Sequence, residues 1–66
     1  MENNQLEGLE QLYHAEIQPN IRQKIADVML AYGVVSIPYL MNCANTEIQP
    51  ENREYIYTKI KELKRK

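Results

Sequence analysis

The middle of the chain is a run of 19 residues, positions 28–46, that contains no charged side chain, although 26% of the 66-residue chain is charged. Such a run must be buried, in the chain's own core or against a partner, because water would otherwise face a large apolar patch. Gly33 and Pro38 interrupt it. We therefore predict the end of one helix, a tight turn and the start of another.

The same run is too short and too interrupted to cross a membrane. Its apolar part is about 14 residues long, whereas a spanning helix needs ~20. The first ten residues, MENNQLEGLE, are acidic and polar, the reverse of a signal peptide. Cys43 is the single cysteine, so no disulfide can form within the chain. We expect a soluble, cytoplasmic protein without a membrane contact.

The length predicts a single domain, residues 1–66, with a small core. A core of this size supplies only ~3–5 kcal/mol of net stability, and small proteins commonly add a disulfide, a metal or a second copy. His14 and Cys43 are the only soft metal ligands, so we predict no metal and no cofactor. Self-association is the expected alternative, with a homodimer as its simplest form.

Charge is distributed unevenly along the chain. Residues 1–19 carry −4, residues 20–50 balance to zero, and residues 51–66 carry +3, which gives the net charge of −1. This polarity favours head-to-tail or antiparallel self-association, or a partner that recognises one end. It differs from the uniformly basic surface of a strong nucleic-acid binder.

Apolar residues recur at helical spacing through most of the chain, and no long alternating strand pattern is present. We predict an all-α fold, a compact bundle of three to four short helices at residues 4–17, 20–32, 36–44 and 50–65. The expected inward-facing residues are Leu6, Leu9, Tyr13, Ile17, Ile21, Ile25, Val28, Met29, Tyr32, Leu40, Met41, Ala44, Ile56, Ile60 and Leu63. Ser36 is expected to cap the third helix. Leu30 lies ~180° from its own helix's stripe, so either a second layer covers it or it belongs to an interface.

One short pattern occurs twice. EIQPN at residues 16–20 recurs 31 positions later as EIQPEN at residues 47–52, each time before an amphipathic helix. Proline is favoured at the first helical position, so the pattern reads as a duplicated helix-start signal. Two copies are compatible with two stacked helical hairpins, but a repeat protein needs about three units.

Residues suited to catalysis are sparse. His14 has no serine or cysteine at a spacing that ties the two together, and Cys43 reads as a small buried side chain. Two glycines leave no glycine-rich phosphate loop, and the carboxylates form no inward-facing pair. We predict that the chain is not an enzyme, with no catalytic residue and no small-molecule substrate.

Five tyrosines without phenylalanine or tryptophan favour amphipathic contact surfaces, where partly exposed tyrosine is enriched. The candidate protein-binding residues are Leu30, Tyr39, Met41, Tyr55 and Tyr57. The basic C-terminal side chains complement the dipole of the last helix, and contact with phosphates is the alternative interpretation. The candidate nucleic-acid-binding residues under that alternative are Asn52, Arg53, Lys61, Lys64 and Arg65.

From Arg22 onward the order is helix, glycine-containing turn, a short helix opened by SIPYL at residues 36–40, and a longer helix. This order resembles the helical part of winged-helix and helix-turn-helix regulators of phage and plasmid type. In those regulators a G-x-x-S-I-P-x-L run starts the second helix, and the third helix enters the major groove. The likeness covers about residues 22–63, but Glu51 and Glu54 stand where phosphates and base edges would lie. We also expect no wing after Lys66. The chain is also similar to small helical anti-repressors and inhibitors of phages and plasmids.

We therefore expect a small regulatory protein that acts by binding another protein, as an inhibitor, anti-repressor or adaptor of phage or mobile-element type. The alternative is a helix-turn-helix DNA-binding transcriptional regulator. DNA binding is not favoured, and we expect no affinity tighter than the nonspecific range of ~10⁻⁴–10⁻⁶ M.

Overall fold

A computed structural model describes the backbone of residues 3–65 and the side chains of residues 5–65. Its α-helices are α1 (Asn3–Ala15), α2 (Pro19–Leu30), α3 (Ile37–Thr46) and α4 (Pro50–Arg65), and a 3-10 turn, Gly33–Ser36, leads into α3. No strand occurs between residues 3 and 65, and the predicted all-α fold is confirmed. None of the helices in this range is long and apolar enough to cross a membrane.

The helices form two hairpins, α1–α2 and α3–α4, that pack on each other. The helix α3 contacts α1, α2 and α4, and α2 also contacts α1 and α4. All four helices contribute to one core, whose buried apolar residues are Leu6, Tyr13, Ala26, Met29, Leu40, Cys43, Ala44, Ile56 and Ile60. This arrangement is the pair of stacked hairpins that the duplicated pattern suggested.

The turn between the hairpins depends on Gly33. Its φ of 81° lies in the left-handed region, which side-chain-bearing residues rarely adopt. Ser36 does not cap α3 as expected, because its own backbone is already helical (φ −81°, ψ −11°). Its hydroxyl instead donates to the Gly33 carbonyl at 2.6 Å, which closes the 3-10 turn.

The prediction that Ile17 faces the core is wrong. The helix α1 ends at Ala15, and the Ile17 side chain is 84% exposed. Gln18 precedes Pro19 and is extended (φ −89°, ψ 122°), as the clash between a proline ring and the preceding residue requires. The chain therefore leaves the helix before Ile17 reaches its expected place on the apolar stripe.

The inward faces of α2 and α3 also differ from the prediction. In α2 the buried residues are Arg22, Ala26 and Met29, while Val28 is exposed. The buried face has turned towards Arg22 because this arginine has a partner inside the protein, described below. In α3, Cys43 is fully buried and Met41 is exposed. The uncharged run is thus only partly covered by the chain's own core.

Candidate protein-binding site

The two E-I-Q-P segments form the same local structure. Glu16 and Glu47 each accept the backbone N–H of the glutamine two residues later, at 3.1 and 2.9 Å. Six residues after each glutamate an arginine donates back to its carbonyl: Arg22 Nη1 to Glu16 and Arg53 Nη1 to Glu47, both at 2.8 Å. The repeated unit is therefore E-I-Q-P-x-x-R. Its arginine was not predicted, although the equal spacing in both copies could have revealed it.

Arg22 also connects the two hairpins. Its Nε and Nη2 donate to the two carboxylate oxygens of Glu47 at 2.9 and 2.8 Å, and the Tyr13 hydroxyl donates to the same carboxylate. Arg22 and Glu47 are 9% and 4% exposed. A charge can be buried in this way only because it is paired and fully hydrogen-bonded. The ion pair explains why an arginine occupies the inner face of α2.

The protonation of this cluster follows from its geometry. Burial by itself raises the pKa of the Glu47 carboxyl, but the hydrogen bonds from Arg22 and Tyr13 outweigh burial and lower that pKa to about 2. Burial and the hydrogen bond to Glu47 raise the pKa of the Tyr13 hydroxyl. The hydrogen bond to Glu47 raises the pKa of Arg22. The carboxylate and the guanidinium are therefore charged, and the phenol neutral, at neutral pH.

An open cavity of about 430 Å³ lies beside this cluster, with Tyr13, Arg22 and Glu47 in its wall. Among residues 5–65 every buried side-chain nitrogen or oxygen has a hydrogen-bond partner. The buried polar groups of the Arg22–Glu47–Tyr13 cluster are therefore satisfied by one another and not left unpaired for a ligand. We interpret the cluster as a tie between hairpins.

His14 lies between Glu10 and Thr46, an arrangement that sequence spacing did not predict. Its Nε2 is 3.0 Å from a Glu10 carboxylate oxygen, and its Nδ1 is 3.1 Å from the Thr46 hydroxyl. A hydroxyl, an imidazole and a carboxylate in line are the parts of a nucleophilic triad. However, Thr46 is the last residue of α3, and the C-terminus of a helix carries the negative end of its dipole. The Thr46 hydroxyl lies 3.1 Å from the backbone carbonyl of Cys43, so the groups around it are hydrogen-bond acceptors. A nucleophilic site would need hydrogen-bond donors there to stabilise the oxyanion of the reaction. We therefore interpret the contact between His14 and Thr46 as a link between α1 and α3.

Cys43 is fully buried in the core. Burial, together with the nearby charges of Glu10 and Glu47, raises the pKa of its thiol to about 12. The thiolate is the reactive form, so this environment suppresses the reactivity of Cys43.

The candidate protein-binding residues fall into separate places. Leu30 and Tyr55 line a cleft of about 240 Å³ between α2 and α4, which we call the α2–α4 cleft. Its polar groups satisfy one another: the Tyr55 hydroxyl donates to Asp27 at 2.6 Å, and Lys59 lies 5.5 Å from the centre of the Tyr55 ring. The hydrogen bond to Asp27 also raises the pKa of Tyr55. The polar groups of this cleft thus already have partners within the chain.

Met41 and Tyr57 line a second depression, of about 470 Å³, between α3 and α4. We call it the α3–α4 groove, and its lining residues are Met41, Glu54, Tyr57, Thr58, Ile60, Lys61 and Lys64. Met41 and Tyr57 are 38% and 37% exposed. Within the part of the chain that the structure describes, no charged group of the groove forms an ion pair. The groove thus presents apolar surface beside Lys61 and Lys64, for which the described residues provide no ion-pair partner.

The remaining candidates lie elsewhere. Tyr39 is half-buried against the core. Asn52 is buried, and its amide donates to the Pro19 carbonyl at 3.0 Å, while Arg53 binds the Glu47 carbonyl. Arg65 is exposed at the end of α4. The two residues that would open a DNA-recognition helix therefore hold the fold together.

Compared with known proteins, the chain matches no family model, and no curated protein and no solved structure shows significant similarity to it.

Proposed function

We propose that this chain is a small regulatory protein that acts by binding another protein, and that its binding site is the α3–α4 groove. The observation that carries the proposal is the exposure of Met41 and Tyr57 on the wall of a groove that also holds Lys61 and Lys64. Tyrosine and methionine are enriched at protein interfaces, where a polar rim surrounds the apolar centre.

The shape and charge of the groove indicate its partner's chemistry. A groove between two helices suits an amphipathic helix, which would place apolar side chains against Met41 and Tyr57. Lys61 and Lys64 outnumber Glu54 on the groove lining, so acidic residues on that helix would be favoured. A cytoplasmic location fits the proposal, since the single cysteine makes no disulfide.

The DNA-binding alternative receives less support. Of its candidate residues, Asn52 and Arg53 are engaged by backbone carbonyls, and Lys61 and Lys64 lie beside the exposed Tyr57. Glu51 and Glu54 lie on the same helix and would oppose phosphate contact. A protein surface explains this combination of apolar and basic groups better than a DNA surface.

Site-specific photo-crosslinking tests the proposal. A benzophenone amino acid replaces Tyr57 in the groove, and in a matched control it replaces Tyr55, whose side chain lies in the α2–α4 cleft. We expect a protein adduct from position 57 that is absent from position 55 and is lost when Lys61 and Lys64 are both changed to glutamate. Equal adducts from both positions, or none from position 57, would contradict the proposal.

A further inference from the structure

We infer that the α3–α4 groove receives helix α1 of a second copy of this chain, so that copies associate head to tail. The inference rests on the proposed function, because it names the partner of the same groove. It follows from the way the two hairpins of one chain already pack on each other.

The second hairpin sits on the first in a defined way. The helix α3 packs against both α1 and α2, and α2 packs against α4. The E-I-Q-P-x-x-R unit relates the two hairpins by a shift of 31 positions, which pairs α1 with α3 and α2 with α4. Within the chain, α3 packs against α1 and α2. If a second copy packs on the second hairpin in the same way, its α1 packs against α3 and α4.

Burial at equivalent positions supports this step. Cys43 of α3 is fully buried, whereas its counterpart in α1, Leu12, is 58% exposed. Ala26 of α2 is fully buried, whereas its counterpart in α4, Tyr57, is 37% exposed. In both pairs, a position that is buried in one hairpin is exposed in the other. Large apolar side chains occupy both uncovered positions.

The ion pair between the hairpins also has an equivalent pair of residues, Arg53 and Glu16, that do not contact each other within the chain. Arg22 of the first unit binds the carboxylate of Glu47 in the second. Arg53 makes only its local bond to the Glu47 carbonyl, and the Glu16 carboxylate accepts only a local backbone N–H, as far as the described residues show. A second copy placed by the same step brings its Glu16 to Arg53. That contact would repeat the ion pair already present inside the chain.

Charge favours the same partner. Helix α1 carries Glu7 and no lysine or arginine, and its other acidic residue, Glu10, is already paired with His14 within the chain, while the groove carries Lys61 and Lys64. This is the local form of the charge difference between residues 1–19 (−4) and residues 51–66 (+3). A contact between two different faces leaves one of each free, so association continues into chains or closes into a ring.

A mixing experiment with two variants tests the inference. Leu12→Glu blocks the α1 face and leaves the groove intact, and Tyr57→Glu blocks the groove and leaves α1 intact. Both side chains are exposed, so we expect both variants to keep the helical circular dichroism of the wild type. In a mixture, the one contact without a substituted residue is α1 of Tyr57→Glu in the groove of Leu12→Glu. The opposite pairing would bring the two new carboxylates together.

Sedimentation velocity across the micromolar range supplies the readout. The wild-type average mass should rise steadily with concentration, each variant alone should sediment as one chain, and a one-to-one mixture should form a two-chain complex and stop there. A wild type that stays a single chain, a variant that still associates alone, or a mixture without the complex would overturn the inference. The double variant Lys61→Glu, Lys64→Glu replaces Tyr57→Glu if the latter loses its fold.

The outcome separates this inference from the proposed function. If the wild type stays a single chain but position 57 crosslinks specifically to a different protein, self-association is wrong and the binding groove remains. If position 57 gives no specific adduct with any protein, this chain included, the groove itself is wrong.

Discussion

Arg22 and Glu47, 25 residues apart in the chain, form a buried ion pair in which two guanidinium nitrogens each donate to one carboxylate oxygen. The pair joins the start of α2 to the segment before α4, and so joins the two hairpins. Each charge is costly to bury alone and acceptable only with the other. The relative position of the two hairpins depends on this contact.

Removing one partner should be severe. Arg22→Met leaves the Glu47 carboxylate buried without its counter-charge, and we expect a loss of about 3–5 kcal/mol in the free energy of unfolding. Urea denaturation followed by circular dichroism measures it. The double variant Arg22→Met, Glu47→Leu removes both charges and should recover much of the loss. A double variant less stable than Arg22→Met would contradict this account of the pair.

The duplicated unit provides a matched control for that prediction. Glu16 caps a backbone N–H as Glu47 does, but no described arginine or tyrosine side chain donates to its carboxylate. Glu16→Gln should therefore cost no more than about 1 kcal/mol, in line with other capping losses. Glu47→Gln should cost several times more. Equal losses would mean that the ion pair contributes nothing beyond the local cap.

Stability should fall in acid because of Glu47. Its pKa drops from 4.5 to about 2 in the folded chain, so its contribution is complete above pH 4.5 and is lost as the pH falls towards 2. At 1.36 kcal/mol per pKa unit, the contribution is on the order of 3 kcal/mol. Urea midpoints measured between pH 2 and pH 6 report the contribution of Glu47 to stability. Wild type and Glu47→Gln are compared in the same stabilising osmolyte, so that the less stable variant is folded before urea is added. The variant should lack this part of the acid dependence, and an identical dependence would contradict the assignment.

The two glycines should respond oppositely to alanine. Gly33 has a φ of 81°, whereas Gly8 lies within α1, and a side chain there would meet no atom within 4 Å. Gly33→Ala should lower the free energy of unfolding by about 1–2 kcal/mol, the cost of a left-handed residue with a side chain. Gly8→Ala should raise it by about 0.5–1 kcal/mol. Denaturant midpoints measure both, and a shift of the same sign in both variants would refute the role given to Gly33.

Cys43 should be inert in the native state. With its pKa raised from 9.0 to about 12, its thiolate fraction at pH 8 is about a thousandfold lower than that of a free thiol. A chromogenic disulfide reagent should modify it slowly in buffer and rapidly in urea. Reaction in buffer at the rate of the unfolded chain would place the thiol at the surface.

The sequence was sufficient for the fold class and helix order because apolar spacing and the prolines at positions 19 and 50 are local signals. It failed where a distant contact decides. The inner face of α2 includes Arg22 because Glu47, far away in the chain, supplies the partner. Ile17 is exposed, and not in the core as predicted, because the segment before Pro19 is extended. Local spacing contains neither fact.

The candidate binding residues show the same limit. Met41 and Tyr57 were predicted to belong to one contact patch with Leu30, Tyr39 and Tyr55, although Met41 was also expected to face inward. The packing of α2, α3 and α4 divides that patch between two depressions, with Tyr39 against the core. Which residues share a depression depends on helix packing. The spacing of residues along one helix cannot reveal it.

Nuclear magnetic resonance on the mixed variants tests most directly that the α3–α4 groove binds α1 of the next copy. The Leu12→Glu variant is labelled with ¹⁵N and titrated with unlabelled Tyr57→Glu, and the labelling is then reversed. We predict that labelled Leu12→Glu shifts its amide signals around Met41, Tyr57 and Lys61. Labelled Tyr57→Glu should shift its signals around Leu12 and Glu16. Shifts at the same residues in both experiments, or shifts centred on the α2–α4 cleft, would contradict head-to-tail binding through the groove.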